Sequence, residues 1–93
     1  MNTLNLAQLC KHVGELFTFT HPSGEEYIFK LADAKCFPPS QGWQAWQFIF
    51  DSHNKVVPPE DTYTVKHIAL GEYVLFSSAK SPTEHEIIFN IRA

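Results

Sequence analysis

Cysteine is scarce in this chain: Cys10 and Cys36 are the only two. Two cysteines cannot build the multi-bridge scaffold of a small secreted domain. Basic residues are also few, seven Lys and Arg against ten Asp and Glu, for a net charge of -3. Lys11, Lys30, Lys35, Lys55, Lys66, Lys80 and Arg92 are scattered along the chain. No basic stripe offers a footprint for phosphate, which argues against a nucleic-acid partner. No apolar run approaches the roughly 18–20 residues of a membrane helix, which argues against a membrane partner. Met1-Asn2-Thr3-Leu4-Asn5-Leu6 lacks a basic segment followed by an unbroken apolar stretch. A secretory signal is therefore not expected, and two free thiols fit a reducing cytoplasm. There is no internal repeat, low-complexity tract or linker.

What the chain does have is aromatic bulk. Eight Phe, two Trp and three Tyr stand among 93 residues, and 44% of all residues are hydrophobic. A chain of this length forms one domain and buries about 64% of its extended surface. Aromatics can fill much of such a core, because each removes about 150–250 Å² from water.

The apolar spacing changes period once. Leu6, Leu9, Cys10 and Val13 share a helical face, so a helix is expected over 4–12, capped by Thr3 and ended by Gly14. After Gly14 the pattern alternates, and six strands are expected: 15–20, 25–32, 43–50, 62–67, 72–77 and 85–91. His21-Pro22-Ser23-Gly24 reads as a turn, and 33–42, with two prolines and a glycine, as a loop. Asp51 to Lys55 reads as a turn, Val56 to Asp61 as a connector and Ser78 to Glu84 as a polar loop. Trp46, Phe48 and Phe50 share a face and are expected in the core. With no helices between them the strands must be antiparallel. The expected fold is mainly β: a small barrel or roll, or two packed sheets, with one short N-terminal helix.

Few residues form a chemical constellation. Cys10 and His12 diverge by about 200° on a helix, and no Cys-x-x-Cys or His-x-x-x-His spacing occurs. His21 and His53 fall in turns. His67 ends a strand before Leu70-Gly71, where its ring can hold the turn. His67, Gly71 and Gly14 are therefore read as structural. Asp51-Ser52-His53 has triad residue types, but adjacent residues cannot converge on one proton path. Glu25-Glu26, Glu60-Asp61 and Glu84/Glu86 read as solvated carboxylates, and Cys36, beside Lys35, as an inert thiol. No catalytic, metal-binding or cofactor-binding residue is assigned.

The best binding signal is the stiff apolar cluster Phe37, Pro38, Pro39 and Trp43. Trp43 has the opposite parity to Trp46 and is expected to be exposed, and Trp is enriched at protein interfaces. Edge strands would offer a second surface by strand addition.

Four segments carry a family resemblance: Val13-Gly14-Glu15-Leu16-Phe17, Phe48-Ile49-Phe50, Tyr63-Thr64-Val65-Lys66-His67-Ile68-Ala69-Leu70-Gly71 leading into Leu75-Phe76, and Phe89-Asn90. The chain resembles through them a small uncharacterised bacterial domain family of unknown function. It departs at Ile68 and at Ser77-Ser78, where that family often has Pro. The resemblance implies a compact β-rich domain that accompanies phage-tail-like or tail-collar-like proteins, and it carries over no catalytic residue. The expected function is a non-enzymatic protein-interaction or assembly module, whose partner is another protein or a second copy. The alternatives are a small-molecule-binding barrel and a small hydrolase.

Overall fold

A computed structural model describes residues 4–52 and 58–92. The helix is shorter than its periodicity suggests. Helix α1 spans Leu6–Leu9 and tightens into a 3-10 turn at Cys10–His12. Asn5 caps it, its Oδ1 accepting from the Gln8 N–H at 3.1 Å; Thr3, the expected cap, lies outside the described residues. One helical turn cannot persist alone. Leu6 and Leu9 are buried and dock it on the barrel. Gly14 ends the segment at φ 95°, a left-handed conformation that costs glycine little. Its N–H donates to the Leu31 carbonyl at 2.7 Å.

Six antiparallel strands follow: β1 Leu16–Thr20, β2 Glu26–Cys36, β3 Trp43–Ser52, β4 Asp61–His67, β5 Gly71–Ser81 and β6 Glu84–Arg92. They close into a barrel in the order β1-β2-β3-β6-β5-β4. The expected fold class and strand number hold, but three strands run further than their propensities indicate. β2 continues through Asp33–Cys36 because a bulge between Leu31 and Asp33 bends it without ending its pairing to β3. β3 continues through Asp51 and Ser52, which are therefore strand and not turn; His53 to Val57 lie outside the described residues. β5 continues to Ser81, since Ser78 and Ala79 pair with Glu86 and His85. Asp61 belongs to β4 rather than to the connector before it. In these places cross-strand hydrogen bonds override weak local preference.

β5 changes partner along its length. Gly71–Ser77 pair with β4, and Ser78–Ser81 pair with β6. The helix segment fills the wedge this leaves: Leu4 and Leu9 border one small cavity with Tyr73, Leu75 and Ile87. That cavity is about 10 Å³, at the lower limit for a single water. Elsewhere the interior is aromatic. Phe19, Phe29, Phe48 and Tyr63 have no exposed surface. Phe19 meets Phe29 at 4.6 Å and Phe50 at 5.0 Å, tilted or edge-on as ring quadrupoles prefer. Trp46 departs from the expected core placement: it is half-buried, packed at the margin. Among the described residues no strand is a free edge, contrary to expectation, because each of the six has a neighbour on both sides.

Candidate interaction surface

The histidines organise the barrel ends. At one end His67, 3% exposed, accepts at Nδ1 from the Ala69 and Leu70 N–H groups, at 3.0 and 3.2 Å. Its proton therefore sits on Nε2, which donates to Glu15 Oε1 at 2.7 Å. His12 Nδ1 donates to the same oxygen at 2.9 Å. These two hydrogen bonds, that from His12 first, hold the Glu15 carboxyl below its ordinary value. At the other end His21 repeats the pattern. Its Nδ1 accepts from the Ser23 N–H at 3.1 Å, and its Nε2 donates to Asp61 Oδ2 at 2.8 Å. The Thr62 N–H, and after it His21, lower Asp61.

Glu15 and His21 flank β1, while Asp61 and His67 begin and end β4. The β1–β4 seam, which closes the barrel, pairs only Thr18–Thr20 with Thr64–Lys66. Two His–carboxylate clasps thus bolt a short seam at both ends. His67 holds its turn as expected from sequence, and Gly71 follows at φ 90°. Glu15, Asp61 and the role of His21 went unread, because their partners lie 52 and 40 residues away.

His12, Glu15 and His67 bring three ligand atoms within 4.8 Å, a convergence that helix geometry alone did not anticipate. The donor set suits a hydrogen-bonded clasp better than an ion. A metal on His67 Nε2 needs the ring proton on Nδ1, where two backbone N–H groups already point.

A second buried histidine faces inward. His85 Nε2 donates to the Pro58 carbonyl at 2.6 Å, and Nδ1 accepts from the Ser77 hydroxyl at 2.8 Å. Burial pushes His85 below its ordinary value. The order hydroxyl, imidazole, orienting acceptor matches a nucleophile–base pair. Both side chains have no exposed surface, so no substrate reaches them. The Tyr63 hydroxyl donates to the neighbouring Pro59 carbonyl, and burial raises the phenol to about 12. The Tyr-x-x-x-His-x-x-Leu-Gly segment thus anchors β4 at both ends. Of the other sequence candidates, Glu25 accepts from the Tyr27 hydroxyl at 2.7 Å, and Glu86 accepts from Gln47 at 2.8 Å.

Exposed apolar side chains stand beside the His67 clasp, at Val13, Leu16 and Ile68, and again on the β2–β3 arm. Ser40 and Trp43 exchange backbone hydrogen bonds of 2.8 and 3.0 Å around Gln41 and Gly42. Both central residues have positive φ, 52° and 83°, the signature of a tight hairpin turn. That turn holds Trp43 at the tip of the β2–β3 arm, 50% exposed, with Arg92 stacked over its ring at 5.6 Å. Phe37 is 43% exposed, and Pro38 and Pro39 are exposed beside it. The structure therefore brings Phe37, Pro38, Pro39 and Trp43 onto one arm. Against the same arm, α1 borders an open groove of about 440 Å³ lined by Leu4, Leu6, Ala7, Trp46, Phe89 and Ile91. The sequence reading missed this groove, because its residues come from three elements far apart in the chain. On the outer wall, Val74, Phe76 and Ile88 are also exposed.

No helix among the described residues is long and apolar enough to cross a membrane. No curated protein and no solved structure matches the chain. One family model does, that of a domain of unknown function, DUF6916, over residues 4–91. The match covers nearly the whole chain, in keeping with the expected kinship to an uncharacterised domain family. The chain belongs to the DUF6916 domain family.

Proposed function

We propose that the protein is a non-enzymatic interaction module, which docks an apolar segment of a protein partner on the β2–β3 arm. The observation that carries this reading is the placement of Phe37 and Trp43, about half exposed, on a rigid hairpin beside an apolar groove. A folded monomer gains nothing from leaving such rings in water. Aromatic anchors on stiff backbone are the usual source of interface energy. The filled interior speaks against a ligand inside the barrel, and the sealing of Ser77 and His85 against hydrolysis at that pair. We place the module in the cytoplasm, as an assembly component. A tail-like structure is the setting that the family resemblance suggests, and the partner's identity decides it.

The test is capture from host lysate on the tagged protein, with Trp43→Ala as control. One stoichiometric partner, lost with the variant, supports the reading. A partner retained by the variant moves the site off the arm, and no partner at all refutes the module.

A further inference from the structure

The barrel closes strand by strand but not residue by residue. β5 and β6 pair only over 78–81 and 84–86, so beyond Glu86 the far side of β6 has no strand beside it. The backbone there can be oriented from β3. Trp43 exchanges both its hydrogen bonds with Ser40, and the Ala45 carbonyl accepts from the Phe37 N–H. Trp43, Ala45 and, by alternation, Gln47 therefore face β2. Opposite them on β6 stand Arg92, Asn90 and Ile88. The N–H and C=O groups of these three point away from β3, and no backbone hydrogen bond among the described residues takes them up. The helix segment lies on the inner side of this edge, where Leu4, Leu6 and Ala7 border Phe89 and Ile91. On the outer side Ile88, Asn90 and Arg92 are exposed. Such a row of unpaired groups is a template for another strand.

The edge is complementary to itself. Antiparallel pairing of two copies about Asn90 sets Asn90 against Asn90, and Ile88 against Arg92 of the second copy. Groups pointing outward on one chain then meet groups pointing outward on the other. Glu86 shares the face of Ile88 and Arg92 by alternation. Arg92 of the second copy stands diagonal to it, within reach of long side chains, and the two-fold axis forms this pair twice. A register moved toward Glu86 collides with Ser78, which already pairs there. A register moved the other way leaves Ile88 unpaired.

We propose that β6 is a dimerisation edge, on which two copies of this chain pair antiparallel through residues 88–92 about an axis at Asn90. The Arg92–Glu86 match selects a second copy over an unrelated strand. This inference stands apart from the docking arm and needs no other partner.

Sedimentation equilibrium on the pure protein, up to about 1 mM, should show a monomer–dimer equilibrium that salt weakens. Asn90→Pro removes the N–H at the axis but breaks no β3–β6 hydrogen bond. It should weaken the dimer at least about tenfold, with the fold retained by circular dichroism. Arg92→Glu and Glu86→Arg should each weaken it about tenfold. An equimolar mixture of those two variants should recover the wild-type affinity, because both diagonals are matched again. A protein that stays monomeric throughout overturns the proposal. So does a mixture no tighter than its separate variants, or a dimer that Asn90→Pro keeps and Trp43→Ala loses, which belongs to the arm.

Discussion

The two clasps on the β1–β4 seam are built alike and buried differently. In each, histidine Nδ1 accepts from backbone N–H groups of the following turn, and Nε2 donates to a carboxylate on the opposite strand's flank. The His67 side chain is 3% exposed and accepts from two N–H groups, while that of His21 is 21% exposed and accepts from one. The same chemistry should therefore weigh more at the His67 end, where water cannot replace a lost partner. The lesson is that histidine here is a fastener, whereas the surface proposed for a partner is the aromatic arm.

The largest effect expected is on the buried clasp. His67→Ala strands two turn N–H groups and frees Glu15, and should cost about 3 kcal/mol in a urea melt. A loss under about 1 kcal/mol would remove the distinction between the ends. Acid should loosen the fold in two stages. His85 is held below its ordinary 6.5, so the unfolded chain takes up that proton first. Stability is full above 6.5 and declines below it as pH falls toward the folded value. Glu15 and Asp61 are lowered from 4.5 and 3.8, so their contribution is present above those values and is lost as pH falls through the folded ones. Urea midpoints along an acid series should show both stages, with the first absent in His85→Gln. A midpoint unchanged below 6.5 contradicts the burial argument.

His21→Ala should cost about 1 kcal/mol, clearly less than its buried counterpart. Native-state hydrogen exchange should locate that loss at the amides of 18–20 and 64–66. Exchange spread evenly over the barrel would mean that the clasp does not serve the seam. Smallest of all, Trp43→Ala should change stability by less than about 0.5 kcal/mol, because the ring is half in water, with Arg92 stacked over it. A loss of several times that size would return Trp43 to structural duty.

The alternating strands, the helix-ending Gly14 and the turn-holding His67 were legible in the sequence, because each depends on near neighbours. So was the exposure of Trp43, since strand parity is a local signal. The clasps were not legible: Glu15 reads as one more solvated carboxylate until folding sets His67 against it. Trp46 misled by parity. It does face inward, but on the part of the arm that extends beyond the barrel, where burial is partial. The run of β2 past Leu31 depends on a bulge that no propensity announces.

The division between fasteners and binding surface can be tested in one measurement, the affinity of the captured partner for two variants. One is the arm variant Phe37→Ser/Trp43→Ser and the other the open-clasp variant His21→Ala, both compared with wild type at a temperature where all three are folded. The account predicts that the arm variant loses more than about tenfold, the removal of at least one anchor, and that His21→Ala binds as wild type. Equal binding by the arm variant, or a loss confined to His21→Ala, would contradict it.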